Sequence, residues 1–310
     1  MTRLVVALLL LGVAAAPRPA VAGDEPYLVV LGIAQDAGYP QAQCYQEHCL
    51  RAWRDPALRR MATSIAVVNP AADASYLFEA TPDIRQQLFD LHTVAPAERF
   101  ALSGVFLTHA HIGHYTGLMH FGHEASGASE LPVFAMPRMR RFLAGNGPWD
   151  QLVRYKNIVL MPLEAGKPVA LDSALSVTPL LVPHRDEYSE TVGFRIAGPS
   201  RTALFIPDID KWSRWDGDIV EQVRSVDYAF LDATFFADGE LPGRSMAEIP
   251  HPFVVESMRL FSGLAAAEKA RVYFIHLNHT NPLLDDSSSA YKQVVEAGFS
   301  VARQGLKLPL

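Results

Sequence analysis

Val105-Phe106-Leu107-Thr108 runs straight into His109-Ala110-His111-Ile112-Gly113-His114-Tyr115-Thr116-Gly117. An apolar strand ending at Thr108 carries the H-x-H pair into a loop with both rings on one side of the turn, because alternate residues of an extended chain share a face. His114 then approaches the same point from the start of the next segment. Three imidazoles meeting in this way suit one or two divalent metals, for which neutral imidazole nitrogen is a common ligand.

The same placement recurs along the chain. Leu180-Leu181-Val182-Pro183 leads into His184, Leu204-Phe205-Ile206-Pro207 into Asp208, Phe230-Leu231 into Asp232 and Tyr273-Phe274-Ile275 into His276. Histidines scattered through a core would not choose strand ends so regularly. In layered α/β folds ligands gather beyond one edge of the sheet, so residues from these distant segments can converge on a single metal site.

Between those segments the expected elements alternate. Tyr27 to Ile33 reads as a buried strand, Cys44 to Trp53 as loop or short helix, and Ile65–Asn69 with Tyr76–Glu79 as a hairpin broken by Pro70 and Asp73. Thr81-Pro82-Asp83 opens a helix whose apolar spacing runs through Ile84, Leu88 and Leu91. Further strands are expected over Pro132–Ala135, Val177–Val182, Val192–Ile196, Ala203–Ile206, Tyr228–Leu231 and Val272–Ile275, with a last one over Phe299–Ala302. Helices are expected around Met139–Leu143 and over Ile219–Val226, Pro252–Phe261 and Ala290–Ala297, the last capped by Gly298. With no low-complexity segment or long linker, residues 23–310 read as one α/β domain.

With 310 residues, 49% of them hydrophobic, the chain can bury a large core, and a net charge of −6 argues against a nucleic-acid surface. At the N-terminus Arg3 precedes the apolar run Leu4 to Ala16, followed by Ala20-Val21-Ala22. That pattern makes residues 1–22 a cleavable secretory signal; the apolar run is short for a spanning helix. The mature chain is thus expected to be periplasmic or secreted, with no stable membrane span.

H-x-H-x-x-H after a strand, followed at wide spacing by VPH, PD and IH, resembles the metallo-β-lactamase-fold hydrolase superfamily. Within it, LGIAQDAGYPQAQC, VPHRDEYSETVGF, IPDIDKW and HLNHTNP resemble the pyrroloquinoline quinone biosynthesis protein B family, and the final H-x-x-H is shared with cyclic phosphodiesterases. The resemblance covers nearly the whole mature chain. It implies a four-layered αβ/βα sandwich, two sheets flanked by helices, with metals at one edge. It further implies that His109, His111 and His184 hold one metal and His114 and His276 a second, with Asp208 bridging the two. Where the superfamily motif HxHxDH has its aspartate, this chain has Gly113, so the second position keeps two histidines and a shared carboxylate. Such a set can bind weakly, stay empty or suit iron(II); Asp36, Asp232 or a water are alternatives for the missing ligand.

Cys44 and Cys49 flank His48 in CYQEHC. The resemblance implies a structural zinc here, held by Cys44, Cys49 and His279; the third cysteine of the related families is missing, and His48 is the candidate for its place, while a Cys44–Cys49 disulfide is the alternative natural to an exported chain. Arg185, Tyr188, Lys211 and Asn281 stand near the ligands in sequence and are candidates for contact with an anionic small-molecule substrate.

These features lead to an expected metal-dependent hydrolase, with zinc as cofactor, acting on an ester, lactone, amide or phosphodiester, in which Asp208 and His114 take part in catalysis. Two alternatives stand beside it: a non-haem-iron oxidative enzyme of quinone cofactor biosynthesis, and a non-catalytic metal- or ligand-binding protein.

Overall fold

A computed structural model of the chain describes residues 25–241, 243 and 245–310. The segment 1–22, read above as a signal, lies outside the described residues. Among the described residues no helix is long and apolar enough to cross a membrane.

Two mixed sheets of seven strands each form the centre. The first contains β1 (Tyr27–Gly32), β2 (Ser64–Asn69), β3 (Ala74–Phe78), β4 (Ala101–Phe106), β5 (Leu131–Ala135) and β6 (Ile158–Pro162) in sequence order. The second contains β7 (Val169–Ala170), β8 (Ser176–Leu181), β9 (Val192–Ala197), β10 (Thr202–Ile206), β11 (Tyr228–Asp232), β12 (Val272–Ile275) and β13 (Ser300–Val301). The last strand, β14 (Lys307–Pro309), returns to the first sheet and pairs antiparallel with β1, Tyr27 opposite Pro309.

Alternation along each strand explains the layers. In β1, Leu28 and Val30 belong to the core between the sheets, whereas Val29 and Leu31 belong to a second core on the outer face of the first sheet. Ile65 and Val67 of β2 likewise face inward while Ala66 and Val68 face outward. A strand covered on both faces must be apolar at every position, which is why these segments read as unbroken hydrophobic runs. The outer core is closed by helices α2 (Ile84–Val94), α4 (Pro137–Gly145) and α5 (Trp149–Arg154) through Ile84, Leu91, Met139, Leu143 and Leu152. Against the second sheet lie α6 (Ile219–Arg224), α7 (Val254–Leu260) and α9 (Ser289–Glu296), whose Ile219, Val223, Val254, Ala290 and Val294 join the inter-sheet core cluster. Three short helices complete the chain: α1 (Glu47–Arg54), α3 (Ile112–Tyr115) and α8 (Ala266–Lys269).

The expected fold class and most expected elements are therefore present. Three strands escaped the sequence: β6, the two-residue β7 and β14. Val159 on β6 is exposed and Lys307-Leu308-Pro309 is too short and polar at its ends to stand out, so only pairing with a distant neighbour makes either a strand.

Aromatic rings fix the two sheets against each other. Phe106 stacks on Phe134 at 4.3 Å and on Phe78 at 4.9 Å, and Phe194 meets Phe78 and Phe106 edge-on at 5.5 and 5.7 Å. Such pairs add to the burial of the rings themselves. Phe106 lies three residues before His109 and is fully buried. Phe106→Ala should destabilise the fold by about 3–5 kcal/mol, measured as a lower urea midpoint, because the cavity would open between two sheets that cannot collapse together.

Candidate metal centre

Strand direction assembles the site. β3 and β4 are parallel neighbours, as are β10, β11 and β12. β8 is antiparallel to β9, which is antiparallel to β10, so β8 ends at the same edge as β10. β1 likewise runs with β3, through two antiparallel pairings. The carboxyl ends of these strands deliver Asp36 after β1, Glu79 after β3, His109 and His111 after β4, His184 after β8, Asp208 after β10, Asp232 at the end of β11 and His276 after β12.

Asp208 sits at the middle, 3% exposed. Its Oδ2 lies 3.2 Å from His184 Nε2, 3.3 Å from His109 Nε2 and 3.7 Å from His114 Nε2. On its other side Oδ1 faces His251 Nδ1 at 3.2 Å, although the His251 ring forms its hydrogen bond with Asp232 Oδ2 at 2.9 Å. Potential ligand atoms of His109, His111, His184 and Asp208 all lie within 4.8 Å of one another, as do those of Asp36, His114 and His276, and of Asp208, Asp232 and His251.

The far sides of the rings are held by oxygens. His109 Nδ1 pairs with Thr108 Oγ1 at 2.8 Å, His184 Nδ1 with Asp210 Oδ1 at 3.2 Å, His276 Nδ1 with Thr234 Oγ1 at 3.0 Å and His111 Nε2 with Glu187 Oε2 at 3.2 Å. This is the arrangement that orients metal-binding imidazoles, one nitrogen anchored and the other turned inward, where His109 Nε2 and His111 Nδ1 meet at 2.9 Å. Asp232 fixes several parts at once: it accepts from the backbone of Ile209 and Thr234 and from the Thr234 hydroxyl as well as facing His251.

Burial and charge set the protonation. Burial, reinforced by neighbouring His114, holds His109 well below the usual imidazole value, and burial takes His276 down to about 4. His111 is lowered, chiefly by burial. Asp208 loses hydration by burial, yet His184 and His251 outweigh this and keep its carboxyl well below the ordinary range. Burial also works against the His114 cation, but Glu79, with Asp208 and Asp36, raises it to about 9. His109 and His276 are thus neutral and Asp208 ionised, the forms in which these groups bind metal, whereas His114, held as a cation beside Glu79, gives up its proton on binding one. Several inward atoms have no hydrogen-bond partner despite full burial: His114 Nε2, His276 Nε2 and Asp208 Oδ1. Orphaned buried polar atoms are rare in folded proteins, and a cation at their focus would satisfy them. The residues fit a metal.

Other expected positions fare differently. Arg185 and Tyr188 lie on the exposed rim, Arg185 paired with Glu187 at 3.4 Å and Tyr188 tilted against Phe142 at 5.3 Å. Lys211 is not at the site: its ammonium meets Glu256 at 2.6 Å and lies 3.7 Å over the Phe253 ring, which ties the loop after β10 to α7. Asn281 is also structural, buried with its amide donating to the Ala233 and Thr234 carbonyls while its carbonyl caps the turn at Leu283. Proximity in sequence misassigned both. Cys44 and Cys49 are joined as a disulfide and offer no thiolates to the closed zinc site expected at Cys44, His48, Cys49 and His279, although the four groups do gather within 4.8 Å. His251 and Glu79 were missed. His251 sits in Pro250-His251-Pro252 with no strand before it, and Glu79 follows β3 as one acid among many.

This arrangement has known counterparts. Residues 75–277 match the family described as beta-lactamase superfamily domain. The chain belongs to that superfamily. Members similar to it include coenzyme PQQ synthesis protein B of Methylobacterium sp. (strain 4-46), 28% identical with 91% of this chain and 99% of the relative covered. The corresponding protein of Ruegeria pomeroyi is 27% identical over the same shares. Among solved structures, Zn(2+)-bound PqqB from Methylobacterium extorquens superposes with a TM-score of 0.77 at 24% identity, covering 92% of this chain and 100% of that one. A diphosphatase of the PhnP family superposes at 0.64 and 22% identity, with 92% and 97% covered. At such identities these structures establish the superfamily fold.

Glu240 accepts from Thr280 Oγ1 at 2.6 Å and from the Phe236 amide at 2.7 Å, and burial, only partly offset by these bonds, pushes its carboxyl up to about 7. A folded value above the unfolded one means the native state holds this proton more tightly, so stability is lost as pH rises from the ordinary carboxylate range through about 7. Glu240→Gln should therefore raise Tm more at pH 8 than at pH 4, a difference calorimetry at the two pH values would show.

Proposed function

We propose that the chain is a metal-dependent hydrolase of a small anionic ester, lactone, amide or phosphodiester. The observation that carries this is the convergence of buried, unpartnered ligand atoms on Asp208 at an edge shared by both sheets. His109, His111, His184 and Asp208 would hold one metal, and His114, His276 and the shared Asp208 a second; nitrogen and oxygen donors in this mixture suit zinc. When bound, such ions act as Lewis acids and make water a nucleophile at neutral pH.

The protein supplies the rest. Asp208, ionised and fixed between rings, orients what lies between the two positions. Thr108, Asp210, Thr234 and Glu187 hold the imidazoles so that no reorganisation is needed on binding. His251, held at Nδ1 by Asp232 and facing Asp208, is the group placed to deliver a proton to a leaving group. On the rim, Arg185 can turn from Glu187 to an anionic substrate, and the Tyr188 ring offers it an apolar wall.

Similarity to the PQQ synthesis proteins over nearly their full length favours a second reading, a non-haem-iron oxidative role in quinone cofactor formation. Iron suits a centre of histidines and carboxylates with open positions. Export is part of the proposal too: the residue pattern of 1–22 and the Cys44–Cys49 disulfide both suit an oxidising compartment.

Elemental analysis of protein purified with and without oxygen, beside turnover of generic phosphodiester, ester and lactone substrates, tests these readings together. Hydrolysis predicts zinc, turnover that vanishes in His109→Ala, and metal loss in Asp208→Ala. Iron retained only without oxygen would support the oxidative role instead. Tightly held metal with no turnover across the panel would contradict the hydrolase.

A further inference from the structure

His114 and His276 form one side of the centre, and their Nε2 atoms are buried with no hydrogen-bond partner. Asp208 is within reach, but it already faces His109, His184 and His251. We propose that Asp36 is the carboxylate ligand of the His114–His276 metal position, brought in from the turn after β1 because Gly113 leaves space for that turn. The inference rests on the reading of the centre as a metal site and assigns it a ligand outside the histidine loop.

Three observations carry it. Asp36 Oδ1 lies 3.8 Å from His114 Nε2, and a ligand atom of His276 completes a group within 4.8 Å. Donors about 2.1 Å from one ion lie roughly 3–4 Å from each other, so this spacing is that of a shared ion rather than of a direct hydrogen bond.

The turn is also bound to both histidine segments. Gln35 donates its amide to the Leu277 carbonyl at 2.8 Å, and Leu277 donates to the Ile33 carbonyl at 2.8 Å, which locks the turn beside His276. On the other side the Asp36 backbone packs onto Gly113. A Cβ at position 113 would stand 2.4 Å from Asp36 Cα and 2.8 Å from its carbonyl oxygen. These are backbone atoms, so no side-chain rotation relieves the overlap. Glycine at 113 and the Asp36 turn are therefore one structural unit: any side chain on the histidine loop here would displace the turn.

Finally, Asp36 holds a left-handed conformation, with φ of 41°. Aspartate tolerates this region better than most residues, but it still disfavours it. The conformation places the carboxylate at the mouth of the centre, its side chain 42% exposed, where it can reach an ion without displacing the buried rings. With Asp36 and Asp208 the position holds two imidazoles and two carboxylates, a set suited to zinc, manganese or iron(II).

Asp36→Asn is the direct variant, because asparagine keeps the shape and accepts the left-handed backbone. Gly113→Ala is the second, since it removes no ligand atom and acts only by displacing the turn. Zinc is titrated calorimetrically into metal-free full-length protein with the disulfide intact, and zinc per chain is counted after dialysis. Both variants should lose the second equivalent, or bind it at least roughly tenfold more weakly, with the first unchanged. Asp36→Asn titrating as wild type does overturns the assignment, as does a wild-type protein holding one equivalent that the variant keeps. Those results are distinct from failure of the metal reading itself, in which wild type and His109→Ala would both take up no zinc.

Discussion

A carboxylate buried at the seam of two sheets is unstable alone, and the centre is arranged to compensate Asp208. Moving an ion out of water costs several kcal/mol unless opposite charge and hydrogen bonds replace the lost hydration. Here the compensation comes from imidazoles on separate segments, His109 and His184 on one oxygen and His251 beside the other. Each of these rings is in turn held by an oxygen of its own, so the charge is balanced through two layers of contacts rather than one.

That arrangement depends on the sheets being fixed relative to each other. Phe78, Phe106, Phe194 and Phe205 lie between them, and the last residue of β4 and the residue before the end of β10 are both phenylalanines of this cluster. Residues three positions further on are His109 and Asp208. The packed rings thus set the distance between donors that arrive from opposite sheets, and close-packed interiors yield little to local strain. Folding and the geometry of the centre rest on the same contacts.

How much of this could be seen in the sequence follows from how each residue is placed. His109, His111, His184, Asp208 and His276 each follow an apolar strand, and a strand marks its own end. The two-sheet fold was legible for a related reason, since strands covered on both faces are apolar throughout. His251 follows no strand and owes its position to Asp232 and Asp208, which only the folded chain brings near it. Lys211 and Asn281 stand close to ligands along the chain but turn to Glu256 and to the Ala233 carbonyl. The absent side chain of Gly113 was visible, whereas its reason, the Asp36 backbone packed against it, is a contact between segments more than seventy residues apart.

Anomalous diffraction at the zinc edge, from crystals of the full-length protein grown with zinc, tests most directly whether this carboxylate and its imidazoles form a metal centre. The account predicts a strong peak within about 2.2 Å of the Asp208 carboxylate and the inward nitrogens of His109 and His184. A map with no anomalous peak among these residues, and the rings hydrogen-bonded to Asp208 alone, would contradict it.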